Sequence, residues 1–145
     1  ASAAYRDSLA AALDCLAPRG VEVAIEPINP RDMPGYFLRD FGEAERIIGE
    51  TGRPELRLQF DIYHRQMIHG DVAGALARLM PLIGHVQVAG VPGRHEPDSG
   101  ELNTPFLFAE LDRLGYRGAV GCEYHPAGLT EDGLGWLRAA TVRPA

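Results

Sequence analysis

Residues 21–28 read VEVAIEPI, a short run in which apolar and polar side chains alternate. Three later runs share this pattern: LRLQFDI at 56–62, GHVQVA at 84–89 and AVGCEY at 119–124. A polar loop with glycine or proline follows each run, and a helical pattern follows each loop. This alternation predicts four strand–helix units and a parallel sheet.

Helical patterns fill the segments before and between these strands. We predict helices at 5–16, 41–49, 71–80, from 104 to about 115, and from 130 onward. The last three are expected to begin at Asp71, Thr104 and Thr130, whose side-chain oxygens can accept hydrogen bonds from unpaired N–H groups. The predicted order is one helix followed by four βα units.

The polar side of each strand distinguishes two parallel-sheet architectures. In the second run, Leu58 and Phe60 share one face, while Gln59 and Asp61 share the other. An open doubly wound sheet is covered on both faces, so its strands read as apolar throughout. The inner face of a (β/α)8 TIM barrel can instead be polar near a catalytic mouth. We therefore expect an α/β fold of the TIM-barrel type.

The chain has 145 residues, whereas a complete barrel needs about 250. Four βα units form half of a barrel, and a half barrel exposes two strand edges. We expect residues 1–145 to be the C-terminal half of a larger barrel domain, completed by a missing N-terminal half. The alternative is that two copies of the chain close one barrel.

Composition and charge narrow the class of protein. Hydrophobic residues make up 46% and charged residues 23% of the chain, which is typical of a globular domain. The formal net charge is −6 and no basic stripe is visible, so we expect neither nucleic acid nor an anionic membrane as a partner. No apolar run approaches the roughly 20 residues of a membrane span, and no signal segment opens the chain. We therefore expect a cytoplasmic protein.

One polar residue lies near the carboxyl end of each predicted strand. These residues are Glu26, Asp61, Gln87 and Glu123. Barrel enzymes place their chemistry at this end of the strands. Three carboxylates at one mouth repel one another, and a divalent cation would remove that repulsion. Because all four ligands would be oxygens, we predict Mg²⁺ or Mn²⁺, with Co²⁺ also possible.

Four longer segments resemble the hydroxypyruvate isomerase family of the xylose-isomerase-like barrels. They are VAIEPINPRDMPGYFL at 23–38, LQFDIYHRQ at 58–66, HVQVAGVPGRHEPDSGELN at 85–103 and GCEYHPAGLTEDGLGW at 121–136. The GRHEP motif is the most specific part. The resemblance implies a metal-dependent isomerase that interconverts hydroxypyruvate and tartronate semialdehyde through an enediolate, without an organic cofactor. It also implies the four metal ligands named above, with Glu26 and Glu123 transferring the proton.

Five more residues are candidate contacts for a small hydroxy-carbonyl acid substrate. They are His64, Arg94, Glu96, Asn29 and Asp32. His64 matches a histidine that related sugar isomerases and epimerases use near the substrate oxygens. Arg94 is expected to bind the substrate carboxylate, because a guanidinium group pairs with a carboxylate in a bidentate manner. Glu96 lies on the same long loop, at 90–103, which is a candidate lid.

Several alternatives stay open at this point. A 2-oxo-tetronate isomerase or a ketose 3-epimerase would use the same metal and the same glutamates, and a non-catalytic barrel fragment is the alternative outside enzymes. A phosphodiesterase of the endonuclease IV type shares the barrel but would need a histidine-rich zinc cluster. Separately, Glu22 and Arg57 each lie four residues before a proposed ligand, and we predict that they form an ion pair inside the barrel.

Overall fold

Four parallel strands form one sheet in chain order. They are β1 Val23–Ile25, β2 Leu56–Asp61, β3 Ile83–Val88 and β4 Val120–Cys122. The structure is a computed structural model that describes residues 2–141, with side chains described through residue 138. It confirms the prediction of an α/β chain with four successive strand–helix units.

The described residues contain six α-helices. They are α1 Ser2–Leu16, α2 Phe41–Thr51, α3 Ile62–Ile68, α4 Val72–Leu79, α5 Thr104–Arg113 and α6 Gly135–Thr141. α2 begins after Asp40, whose carboxylate accepts the N–H of Glu43 at 2.9 Å. α2 ends at Gly52, which adopts the left-handed conformation with a φ of 63°. None of the helices in this range is long and apolar enough to cross a bilayer.

The two faces of the sheet differ as the alternation predicts. On one face, Leu58, Phe60 and Val86 are fully buried in a core that they share with the helices. On the other face, Gln59 and Gln87 are only partly buried. The polar side chains therefore lie on the face that is concave in a barrel, and the helices cover the opposite face.

The two outer strands are shorter than predicted. In β1, Val23 donates its N–H to the carbonyl of Glu55 at 2.8 Å, but Ile28 donates to Leu38 at 3.0 Å and has left the sheet. β1 and β4 each have a neighbouring strand on one side only. An edge strand has half the hydrogen-bonding partners of a central strand, so the apolar pattern of residues 21–28 overestimates its length.

The structure confirms the predicted helix starts at residues 71 and 104, but it differs in the side chains that cap them and in the start predicted at Thr130. Asp71 precedes α4, but its backbone is left-handed with a φ of 46° and its side chain makes no capping hydrogen bond. α5 is capped by Asn103, which accepts the N–H of Phe106 at 3.2 Å. Residue 130 is followed by a 3₁₀ turn, and α6 begins only at residue 135. Both asparagine and threonine can cap a helix, so sequence alone does not separate neighbouring candidates.

The sequence pattern does not predict α3, because the apolar run continues through Ile62 and indicates a strand there. Asp61 ends β2 and also caps α3. Its Oδ1 atom accepts the N–H of Tyr63 at 2.7 Å and that of His64 at 3.4 Å. One carboxylate oxygen thus stabilises the turn, while the other is left to face the inner side of the sheet.

The predicted ion pair between Glu22 and Arg57 is present. Nε of Arg57 lies 3.9 Å from Oε1 of Glu22, and Nη2 of Arg57 donates to the carbonyl of Ile83 at 2.9 Å. Glu22 directly precedes β1 and its side chain is 61% exposed, so the predicted location of the pair inside a barrel stays a prediction.

Candidate active site at the carboxyl ends of the strands

The four predicted metal ligands lie together at one end of the sheet. Asp61 and Gln87 are register partners in β2 and β3, and Nε2 of Gln87 donates to Oε2 of Glu123 at 3.2 Å. Glu26, Asp61 and His64 each offer an atom within 4.8 Å of the others. This group includes two of the predicted ligands and adds His64, which the sequence assigned to substrate. The identity of the ligands therefore stays a prediction.

Two carboxylate oxygens in this group are buried without a hydrogen-bond partner among the described residues. They are Oε1 of Glu26 and Oδ2 of Asp61. An unpaired buried carboxylate oxygen costs free energy unless a cation or a donor binds it. Carboxylate oxygens are the ligands that Mg²⁺ and Mn²⁺ prefer, so these residues fit a divalent cation.

Burial makes both of these acids weaker than usual. Burial, followed by repulsion from Asp61, raises the pKa of Glu26 from 4.5 to about 7. Burial also raises the pKa of Asp61 from 3.8 to about 6, although nearby N–H groups and Arg94 act in the opposite direction. A bound cation would favour the ionised forms, so cation binding should release protons.

His64 lies directly beside the two unpaired oxygens. Its Nε2 atom is 3.8 Å from Oδ2 of Asp61 and 4.0 Å from Oε1 of Glu26. The ring is 1% exposed, and burial, followed by the charge of Arg94, lowers the pKa of His64 to about 4. The imidazole is therefore neutral near pH 7.

Arg94 supplies the positive charge of the site. Its Nη2 atom lies 3.1 Å from Glu123 and 3.7 Å from Asp61, and its Nη1 atom lies 3.8 Å from Asp32. The guanidinium group also lies over the ring of Tyr63, 5.0 Å from its centroid. The predicted substrate residues Arg94 and Asp32 are thus adjacent to the predicted metal ligands.

Hydrogen bonds join the loop that carries Arg94 to the segment after β4. His125 donates its N–H to the carbonyl of Arg94 at 2.8 Å, and Nδ1 of His95 lies 2.8 Å from the carbonyl oxygen of His125. Both carboxylate oxygens of Glu96 accept the N–H of Ala127, at 3.1 and 3.2 Å. Glu96 is therefore directed at the neighbouring loop rather than into the acidic group, and its predicted contact with substrate stays a prediction.

Two side chains at the site were not singled out from the sequence. Gln59 donates from Nε2 to Oε1 of Gln87, and its hydrogen bond to Glu26 opposes the rise in the pKa of that residue. Gln59 lies two residues before Asp61 on the same face, so the alternation alone could have identified it. Tyr63 could not be placed, because its position depends on the unpredicted helix α3.

Comparison with known proteins points to one family. The model of the family described as "Xylose isomerase-like TIM barrel" matches residues 1–140. The chain is 54% identical to a 2-oxo-tetronate isomerase from Cupriavidus necator, over 94% of this chain and 52% of that protein. It is 48% identical to a human protein named "Putative hydroxypyruvate isomerase", over 94% of this chain and 50% of the human protein.

Solved structures show the same similarity. A Brucella melitensis protein described as an AP endonuclease of family 2 superposes with a TM-score of 0.86 at 48% identity, covering 88% of this chain and 50% of that one. A 3-keto-D-glucoside 4-epimerase from E. coli gives a TM-score of 0.82 at 29% identity, covering 92% and 52%. The chain spans about half the length of the relatives it matches.

The raised pKa values of Glu26 and Asp61 predict how stability depends on pH. Between about pH 4.5 and 7, the folded metal-free chain holds protons on these acids that the unfolded chain has released. Below pH 6.5, the unfolded chain protonates His64 and the folded chain does not. This difference opposes the effect of Glu26 and Asp61 on stability and offsets one of their two protons. We therefore expect the free energy of unfolding to fall as pH rises through this range, by on the order of 1 kcal/mol given partial solvent screening.

Urea denaturation at a series of pH values, in the presence of a chelator, measures this slope. Glu26→Gln should flatten this slope. Saturating Mn²⁺ should reverse it below pH 6.5, because the cation holds both carboxylates ionised and leaves only the contribution of His64. Glu131→Gln, which changes an exposed glutamate, is the matched control. A stability that rises with pH in the metal-free wild type would contradict the assignment of these two acids.

Proposed function

The chain belongs to the xylose isomerase-like TIM barrel family, and we propose that it carries the catalytic groups of a metal-dependent isomerase of small hydroxy-carbonyl acids. The proposed reaction interconverts hydroxypyruvate and tartronate semialdehyde. The observation that supports this most is the pair of unpaired, buried oxygens of Glu26 and Asp61, next to Glu123 and Arg94. Relatives named as isomerases support the same class of reaction.

The proposed reaction moves one proton between neighbouring carbons. A base removes a proton from the hydroxyl-bearing carbon of hydroxypyruvate to give an enediolate, and an acid returns a proton to the former carbonyl carbon. The hydroxyl proton passes from the oxygen of the first carbon to the former carbonyl oxygen, so the first carbon becomes an aldehyde and the second a secondary alcohol. A divalent cation, held by Glu26, Asp61, Gln87 and Glu123, would stabilise the negative charge on the enediolate oxygens. Glu26 and Glu123 are the proposed base and acid.

Arg94 is the proposed site for the substrate's carboxylate. Its side chain is 19% exposed and lies 3.1 Å from Glu123, whose side chain is 57% exposed. When a cation balances Asp61 and Glu123, the guanidinium group becomes available for a further carboxylate, which it can bind through two parallel hydrogen bonds. Neutral His64, whose Nε2 atom lies 3.8 Å from Oδ2 of Asp61, is proposed to contact a substrate oxygen.

The names of the relatives support two closely related substrates. Several are named 2-oxo-tetronate isomerase and others hydroxypyruvate isomerase. Both acids contain a carboxylate, a 2-oxo group and a 3-hydroxyl group, and 2-oxo-tetronate is longer by one hydroxymethyl group. Each would place the same three functional groups against Arg94, the cation and His64, so 2-oxo-tetronate is the second candidate substrate.

The features of the site favour an isomerase over a phosphodiesterase, although one similar structure is described as an AP endonuclease. In the part of the chain that the structure describes, the candidate metal group contains two carboxylates and a single histidine. Phosphodiester substrates are polyanions, and a net charge of −6 disfavours their binding. Turnover of an abasic-site DNA duplex, without turnover of either hydroxy-carbonyl acid, would reverse this conclusion.

Glu123→Gln tests the proposed proton transfer. With Mn²⁺ present, hydroxypyruvate in D₂O should exchange carbon-bound hydrogen and form tartronate semialdehyde, which NMR detects directly. The variant removes a titratable group but keeps the size of the side chain, so we expect activity to fall by roughly 100-fold or more. Glu131→Gln should match the wild type. Equal activity of Glu123→Gln and the wild type would exclude the proposed role.

Arg94→Gln tests carboxylate binding separately from metal binding. Loss of a charge-assisted bidentate contact of about 1.5–3 kcal/mol should raise KM for hydroxypyruvate by roughly 10- to 100-fold. The affinity for Mn²⁺, measured by electron paramagnetic resonance, should stay equal or increase, because the variant no longer competes for Asp61 and Glu123. Arg94→Lys keeps the charge, so its KM for hydroxypyruvate should lie between those of the wild type and Arg94→Gln. Weaker Mn²⁺ binding in Arg94→Gln would contradict this account.

A closed barrel requires strands beside both β1 and β4. We propose that a second copy of the chain, or four further βα units, completes it. For the two-copy arrangement, light scattering should give the mass of two chains. Ala24→Pro should convert this dimer to monomers, because residue 24 directs its N–H away from β2 and proline removes that donor. Ala24→Val is the control, and a monomeric wild type would exclude the two-copy arrangement.

A further inference from the structure

We propose that Asn29 is a positioning residue that fixes neutral His64 in the tautomer with its proton on Nε2. His64 then faces the acidic group as a hydrogen-bond donor and does not bind the metal. The functional consequence of this inference rests on the proposed function, because the Nε2–H group would be directed at a substrate oxygen. It also changes the role expected for Asn29, which the sequence suggested as a substrate contact.

The orientation of the Asn29 amide is fixed by its own turn. Its Oδ1 atom accepts the N–H of Arg31 at 3.0 Å and the N–H of Asp32 at 3.1 Å. Backbone N–H groups can only donate, so this atom must be the oxygen. The amide nitrogen therefore lies on the other side, where it donates to Oδ2 of Asp32 at 3.0 Å. Asn29 is 1% exposed, so water does not compete for these bonds.

Two donors from Asn29 converge on the same ring nitrogen of His64. The backbone N–H of Asn29 lies 3.3 Å from Nδ1, and the amide Nδ2 lies 2.8 Å from it. Nδ1 can accept these bonds only if it carries no proton. A neutral imidazole has one N–H group, so the proton must be on Nε2.

This tautomer excludes His64 from metal binding. Its Nε2 atom faces Glu26 and Asp61, where a cation would be bound, but a protonated nitrogen has no lone pair to offer. A histidine that binds a metal usually donates its other ring N–H to an acceptor. In His64, the other ring nitrogen is an acceptor instead. The geometry leaves the carboxylates and Gln87 as ligands and gives His64 a donor directed into the site.

The tautomer can be measured without turnover. Long-range ¹H–¹⁵N correlation spectra of the ¹⁵N-histidine-labelled, metal-free chain at neutral pH distinguish a proton on Nδ1 from one on Nε2. His64 is assigned by the signal that disappears in His64→Gln. We expect the Nε2–H pattern in the wild type. Asn29→Asp offers an acceptor in place of the amide donor and should shift the population toward Nδ1–H. Asn29→Ala, which keeps only the backbone donor, should give an intermediate population.

Metal affinity provides a second readout. In His64→Ala, the dissociation constant for Mn²⁺ should stay within about tenfold of the wild type. Removing even the hydrogen-bond partner of a metal ligand usually weakens metal binding more than this. Asp61→Asn should lose far more, because it removes a charged ligand. If turnover is observed, His64→Gln should retain more of it than His64→Ala, because the glutamine amide can place an N–H near the position of Nε2.

A wild-type spectrum with the proton on Nδ1, or a His64→Ala variant that loses Mn²⁺ as strongly as Asp61→Asn, would overturn the inference. Neither result depends on the reaction. An Nε2–H tautomer in a chain without isomerase activity would leave the inference in place and remove the proposed function. Isomerase activity with an Nδ1–H tautomer would leave the proposed function in place and overturn the inference.

Discussion

Negative charge buried at one end of a parallel sheet is the constraint on which the rest of the site depends. Glu26 and Asp61 each have a buried oxygen without a hydrogen-bond partner among the described residues, and such oxygens are costly in a protein interior. Their surroundings reduce this cost in three ways. N–H groups at the start of α3 bind one oxygen of Asp61, Arg94 lies between Asp61 and Glu123, and the raised pKa values allow protonation. A divalent cation would serve the same purpose more completely, which is the physical basis of the proposed chemistry.

The same hydrogen bonds build the local structure and arrange the site. Asp61 ends a strand, caps a helix and directs its second oxygen inward, so one residue determines both the path of the chain and the position of a candidate ligand. Asn29 closes a turn after β1 and supplies both donors to Nδ1 of His64. Each of these side chains stabilises the local backbone and also arranges the site. Substitutions there should therefore alter reactivity and local order together, so the two effects have to be measured separately.

Much of this arrangement could be predicted from the sequence. The alternation in four runs gave the parallel sheet, its polar face and the four strand-end residues, because period two and the βα repeat depend on local sequence alone. The ends of β1 and β4 were misjudged, since strand length at an edge depends on which neighbours are present. The hydrogen bonds of Glu96 and Asn29 could not be predicted either, because tertiary packing brings their partners together. Glu96 accepts the backbone N–H of Ala127, and Asn29 directs its own backbone N–H at His64.

The backbone of Arg94 has a φ of 55°, in the left-handed region that side chains other than glycine and asparagine rarely adopt. An arginine there costs roughly 1 kcal/mol relative to a relaxed conformation. Glycine at position 94 would remove this strain, but it would also remove the positive charge that offsets Asp61 and Glu123. In directed evolution for heat resistance, the metal-free scaffold should therefore keep arginine at this codon in spite of its strained backbone.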